Sequence, residues 1–313
     1  MGAIAQGADI TAQREKQPTS RAALRARARF WDRVVTGVLW GLAGAIVLML
    51  AAMIIYLVAR GISVINWQFV TTATVTSSTD GPEVFNTFYI IILALVICIP
   101  FGLCAAIYLV EYAQQNAFTA IVRFATETLA GVPSLLIGFF GYLIFVTNFG
   151  AGQRLGFTRL AGALTLVILN LPILLSVFQD ALRHVPVEMR EASAALGATK
   201  LQTVTRVLIP TAFSSLITGV ILTAGKMLGE TAALVYTAGG SSSINGWLTL
   251  DPRAAGDTLT IKLYELFAEG TAPNAAQVAA GTATLIIILL LVFNLGLRWL
   301  AAGVNRRIAG SVR

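Results

Sequence analysis

The sequence predicts an all-α membrane protein with six transmembrane helices and both ends on the inner side of the membrane. Composition supports this first: hydrophobic residues make up 57% of the 313 residues and charged residues 12%, with a mean hydropathy of +0.78. Soluble chains carry about 25% charged residues. The second observation is a series of six apolar runs, each long enough to cross a hydrocarbon layer that takes about 20 helical residues. The third is an uneven distribution of Lys and Arg between alternate connections, the bias that orients helical membrane proteins.

Taken in order, residues 1–33 form a basic tail carrying Arg14, Lys16, Arg21, Arg25, Arg27, Arg29 and Arg33. No apolar core of a signal peptide follows within it. Its first half has a disorder-prone composition. Residues 21–33 read either as a basic helix lying on anionic headgroups, with Phe30 and Trp31 at the interface, or as a solvated tail that only sets orientation. The expected membrane domain spans 34–300, with a short basic tail at 301–313.

The six expected spans are 34–59, 84–110, 128–147, 160–178, 212–236 and 275–297. In the first, Gly37, Gly41 and Ala45 make a small-residue face suited to close helix packing. Pro100 and Gly102 suggest a kink in the second. The third opens with Gly131-Val132-Pro133-Ser134. Pro172 lies inside the fourth, where Asn170-Leu171-Pro172 could line a pathway because a proline frees a backbone carbonyl. The fifth alone carries charges, Lys226 and Glu230. Of the outer connections, 61–83 is Thr/Ser-rich and closes with Asp80-Gly81-Pro82, a turn signal. The 239–274 stretch is Gly/Ser-rich and then carries 259–267, a short amphipathic helix. Glu111 and Glu127 fall at inner helix ends and read as interfacial or packing residues.

With the first end inside, the inner segments hold the basic tail, Arg123, the four basic residues of 180–210 (Arg183, Arg190, Lys200, Arg206) and Arg298, Arg306, Arg307 and Arg313. The outer ones hold Arg60, Arg154, Arg159, Arg253 and Lys262. The net charge of +7 is therefore membrane-surface bias. It is not a nucleic-acid patch, since no aromatic side chains interleave it. Cys98 and Cys104 lie in an apolar run with no ligand cluster around them, and a lone His184 supports no metal site.

The stretch 190–210 is polar, rich in small residues, and placed on the inner side by the charge bias. Glu191-Ala192-Ser193, then Gly197, then Val207-Leu208-Ile209-Pro210 reproduce the spacing E-A-A, three residues, G, nine residues, I-x-L-P. This resembles the loop that marks type I ABC-importer permeases (the MetI-like bundle), with Ser193 at the second Ala. Local chemistry fits a short helix. Glu191 suits the positive helix end, the alanines permit close approach, Gly197 can end the helix left-handed, and Pro210 can restart one. The resemblance implies that Glu191, Ala192, Gly197 and Pro210 belong to a coupling element that docks on an ATPase. The chain contains no G-x-x-x-x-G-K-[ST] stretch, so ATP–Mg would sit on a separate subunit. This chain would bind no cofactor and would not itself be an enzyme.

An intramembrane ionisable residue is a functional candidate by default. Lys226 and Glu230 are four apart and, in a continuous helix, share a face. They would either neutralise each other or leave Lys226 to serve another anion. Gly229-Glu230-Thr231-Ala232 followed by Thr237-Ala238-Gly239 resembles the R-A-x-G-E-T-A-P…T-A-G signature of PstA-type permeases of phosphate transport systems. The stretches 106–112, 122–124, 127–134 and 185–191 agree with it. Lys226 replaces the family Arg and Ala233 the family Pro, and Lys lacks the bidentate fork that matches phosphate oxygens.

The resemblance implies import of inorganic phosphate. Lys226, Glu230 and Thr231 would line the pathway, with Glu230 accepting a hydrogen bond from the protonated oxygen of phosphate. It further implies a PstC-like second permease subunit, PstB-like ATPase subunits and a PstS-like phosphate-binding protein on the outer face. The bacterial cytoplasmic membrane would be the location. Alternatives are another oxyanion such as sulfate or molybdate, a secondary transporter, or a membrane phosphate sensor. The first keeps the class, and the second expects paired broken helices in two halves, which the sequence does not display.

Overall fold

A computed structural model of the chain describes residues 17–71, 81–114, 116–148, 150, 154–239, 248–269 and 274–310. Every regular element among them is helical: α1 (Gln17–Gly61), α2 (Trp67–Thr71), α3 (Gly81–Ile107), α4 (Ala117–Ala130), α5 (Ser134–Gly141), α6 (Arg159–Arg183), α7 (Val187–Ala195), α8 (Lys200–Thr203), α9 (Ile209–Leu228), α10 (Ala232–Val235), α11 (Leu259–Glu269) and α12 (Ala275–Gly310). Two compact units result, Met1–Tyr56 and Leu57–Arg313. The start of the basic tail, the Thr/Ser run before Gly81 and the Gly/Ser run 240–247 lie outside the described residues.

The first unit is dominated by α1. Its 45 residues form one helix, and at 1.5 Å per residue that is about 67 Å, roughly twice the hydrocarbon thickness. Residues 21–33 hold neither Gly nor Pro and are rich in the strong helix formers Ala and Arg. The basic segment therefore continues unbroken into the span and is not a separate surface helix. Within this unit the large apolar side chains from Phe30 to Tyr56 stand exposed, Trp40 at 76%. A Cβ added at Gly37 or Gly41 would meet nothing within 4 Å.

The second unit is built around α3 and α6. Ile90, Ile91, Ala94 and Cys98 of α3 pack against Leu166, Leu174, Phe178 and Leu182 of α6 in one buried cluster. At Gly102 the helices lie at ordinary contact distance, a Cβ there falling 3.5 Å from Leu174 and 3.6 Å from Phe178. α9 closes on α6 at Gly219, where a Cβ would come 2.6 Å from Val177 Cγ1. α12 packs on α9 and α11. Asn170 is fully buried, donating from Nδ2 to Leu166 O at 2.9 Å, so it faces the interior of this bundle.

Among the described residues five helices are long and apolar enough to cross a membrane, and the pair 117–130 and 134–146 makes a sixth if its two bent halves count as one span. The expected third span at 128–147 is thus corrected: helix 117–130 precedes it, and 134–146 leaves that helix at 104°. The cause is local. Pro133 lacks an N–H and biases Val132 away from the helical region, and Gly131 closes α4. The outward half, about 20 Å long, falls short of a full hydrocarbon crossing.

The fifth span is shifted. It begins at Lys200 and ends at Leu228, not at 212 and 236. The helix is already running when it reaches Pro210, so Pro210 does not restart it. A widened turn, Val204–Leu208, closes with Ile209 N bonding Val204 O and precedes the proline. Arg206 O loses its usual i+4 partner there because Pro210 has no N–H. The short helix expected at 259–267 is present as α11, with Leu259 and Ile261 buried.

Candidate functional site

The connection between α6 and α8 is shaped by its own sequence. Pro186 precedes α7, which carries Glu188 in its first turn, and no residue of α7 is buried. The helix ends with Gly197 N donating to Ala194 O at 2.9 Å and Ala198 N to Ser193 O at 3.2 Å. Gly197 has a φ of +77°. This paired closure requires a left-handed residue, which favours glycine. Thr199 then opens α8 with a reciprocal capping box to Gln202. Sequence inspection missed this box, although its T-x-x-Q spacing was there to be found.

Glu191 and Ala192 are exposed, beside an apolar surface of Val187 (55%), Leu196 (89%) and Leu201 (65%). Pro210 lies away from this tip, inside the spanning helix. Arg190, on the other side of α7, donates from Nη2 to Leu182 O at 2.8 Å and stands 3.4 Å from Glu111 Oε1. Ser193 Oγ and Thr203 Oγ1 are 2.9 Å apart, tying α7 to α8.

Lys226 occupies the last turn of α9, where a cation suits the negative helix end. It is exposed, while Met227 and Leu228 beside it are buried to 1% and 2%. The helix stops at Gly229, so Lys226 and Glu230 do not share a helix face as their spacing suggested, and no ion pair joins them. Glu230 instead turns to α10. Its Oε1 accepts from Ala233 N at 3.4 Å, and its carbonyl accepts from Thr260 Oγ1 at 2.9 Å. That backbone donor exists only because residue 233 is Ala where the resembled signature has Pro. Thr231, half-buried, accepts backbone bonds from Leu234 and Val235.

The 229–239 segment is seated by glycines on its neighbours. A Cβ at Gly138 would lie 2.7 Å from Ala233 Cα, and one at Gly162 would lie 2.6 Å from Ala238 Cβ. Thr237, fully buried, donates to Ala233 O at 3.0 Å, and its carbonyl accepts from Thr158 N. The Gly229–Gly239 motif is therefore a packed, broken-helix element against α5 and α6.

Two charges that the sequence placed in solvated loops are buried. Arg159, 1% exposed, lies with its guanidinium carbon 5.4 Å from the ring centroids of both Phe85 and Tyr89, and bonds Thr249 O through Nη1. Lys262, 8% exposed, pairs with Glu83 at 3.3 Å. They pin the 248–262 region onto α3. Glu127 lines a groove of about 340 Å³ between α4 and α6 with Arg123, Asp180 and Arg183, and Glu111, read as packing, holds Arg190.

Residues 98–310 match the family of binding-protein-dependent transport system inner membrane components. The chain belongs to that family. It is 35% identical over 293 residues to the probable ABC transporter permease protein YqgI of Bacillus subtilis, covering 90% of this chain and 98% of that one. It is 31% identical over 242 residues to the phosphate transport system permease protein PstA of Haemophilus influenzae, covering 76% and 83%. With PstA 1 of Mycobacterium tuberculosis the identity is 38% over 152 residues, about half of each chain (49% and 48%). A solved bacterial alginate ABC transporter, in complex with an alginate-bound periplasmic protein, shares the fold with a TM-score of 0.64 at 15% identity, covering 88% of the permease and 96% of that chain. The permease is thus a multi-pass membrane component of the type I importer fold.

Proposed function

We propose that this permease is one of two membrane subunits of an ATP-driven importer of inorganic phosphate. The observation that carries the cargo is the pairing of an exposed Lys226 with the helix break at Gly229-Glu230-Thr231, in a chain related to phosphate permeases of known name. Lys226, not neutralised by Glu230, offers its charge to an anion. The Glu230 carboxylate retains lone pairs beyond the one Ala233 uses and can accept a hydrogen bond from the protonated oxygen that hydrogen phosphate carries and sulfate lacks. Thr231 completes the polar lining.

In this reading the exposed tip at Glu191, Ala192 and Leu196 docks on a separate ATPase subunit that holds ATP–Mg. Gly197 shapes the tip, and Pro210 lies in the helix it drives. The basic connections and tail face the cytoplasm, a second permease subunit completes the pore, and a phosphate-binding protein delivers cargo from outside. A broader oxyanion is the second reading, favoured by Lys in place of the family Arg. ATP-dependent uptake of labelled phosphate into vesicles holding the assembled complex, with excess sulfate, decides between them. Uptake that resists sulfate supports phosphate, uptake abolished by sulfate moves the cargo to the broader class, and uptake without ATP rejects the importer reading.

A further inference from the structure

We propose that Glu111 and Arg190 form a two-position latch that carries movement of α7 into α3. It rests on the reading that α7 meets an ATPase, and adds how that contact reaches the pore helices. One guanidinium bridges three elements: Arg190, on α7, bonds the last turn of α6 at Leu182 O (2.8 Å) and faces Glu111 at the end of α3 (3.4 Å). The side chains are only 27% and 15% exposed, yet Glu111 Oε1 and Arg190 Nε are buried with no hydrogen-bond partner. Buried charged atoms left unbonded are rare and call for an explanation.

The shape of the groups supplies one. A guanidinium offers parallel N–H groups that fit a carboxylate two-toothed at about 2.8 Å. Here one arm approaches and stops short, so a shift of α7 of about half an ångström to one ångström would close the fork. Glu111 lies in a widened turn, Tyr108–Tyr112, closed by Ala113 N on Tyr108 O at 2.8 Å. Such widened turns recur at functional sites, and this one ends the helix. The other end of the connection returns to the same turn. Lys200 Nζ donates to Glu111 O at 3.3 Å and stands 5.7 Å from the Tyr112 ring centroid. Both arms of the loop therefore grip residues 111 and 112, while the tip around Leu196 stays free to dock.

The test uses the assembled complex in proteoliposomes, reading labelled phosphate imported per ATP hydrolysed. Arg190→Lys keeps the charge and loses the fork. The double variant Glu111→Gln with Arg190→Gln leaves no lone buried charge, and Glu111→Arg with Arg190→Glu exchanges the partners. For the first two, ATP hydrolysis within about threefold of the unaltered complex and import per ATP down about tenfold are expected, a typical size for a coupling between sites. The exchange is expected to recover at least about a third of the loss. A merely structural pair would lower assembly and leave the ratio within about twofold, which overturns the latch. A nucleotide-trapped structure by electron cryo-microscopy needs no cargo. It should place Nε and Nη2 both on the Glu111 carboxylate, and a contact unchanged or parted refutes the proposal. If the unaltered complex imports no phosphate, the cargo assignment fails and the trapped structure alone judges the latch.

Discussion

Lys226 and Glu230 lie on opposite sides of a helix end: Lys226 closes α9, and Glu230, beyond Gly229, bonds the first turn of α10 through Ala233 N. A pair that spacing would have neutralised internally is instead separated. The lysine is left exposed and the carboxylate is oriented by backbone.

Replacing Lys226 with Gln should lower phosphate uptake about ten- to hundredfold, the size of a lost charged hydrogen bond. Lys226→Arg should retain or raise uptake, because the guanidinium restores a fork. Uptake that is indifferent to both changes would remove Lys226 from the pathway.

Glu230→Gln preserves an oxygen for Ala233 N, so the permease should melt at the same temperature while its preference for phosphate over sulfate falls. Glu230→Ala removes the acceptor of Ala233 N as well, with a cost of about 0.5–1.5 kcal/mol. Competition uptake and thermal unfolding in detergent separate these effects. Equal selectivity in the unaltered and Gln forms would assign Glu230 a capping role alone.

Ala233→Pro deletes the donor that holds Glu230. Proline is tolerated in a first helical turn, so folding should survive and the carboxylate should become free to meet the cargo. The expected outcome is a changed phosphate-to-sulfate ratio at unchanged expression. Loss of the folded permease would show that the 3.4 Å contact is structural first.

Gly197→Ala places a Cβ on a residue at φ +77°, a left-handed strain of roughly 1–2 kcal/mol. Import per ATP should fall with little change in bilayer insertion, and Gly197→Asn should be milder. Identical behaviour of the two variants would mean the loop tip does not need this closure.

Gly138→Ala would drive a Cβ to 2.7 Å from Ala233 Cα, overpacking worth about 1–3 kcal/mol. Because the neighbour is backbone, the 229–239 element must move. Uptake should drop more than melting temperature does, and a purely thermal effect would show that the element tolerates displacement.

Much of the architecture was legible in the chain. Apolar runs of span length, the Gly197 turn and the helix at 259–267 all follow from local propensity, which neighbours within a few residues decide. Breaks were harder. Gly131-Val132-Pro133 announced an interruption but not its 104° bend, and Gly229 in an apolar run did not reveal that α9 stops there. The Pro210 restart failed for a related reason: the capping box at Thr199 had already begun the helix, and the widened turn accommodated the proline.

The sequence by itself determined that this is a helical membrane protein, where a short polar helix closes on Gly197 between two spans, and which ionisable residues lie in the apolar segment. Those are additive, short-range properties of hydropathy, charge and backbone preference. Only the tertiary structure decided which charges are paired and which are left open. Lys262 finds Glu83 across 179 residues and Arg159 finds Thr249 across 90, while Lys226 finds no pair four residues away. Burial penalises an unpaired charge strongly enough to recruit partners from distant segments, and packing alone settles which segments come within reach.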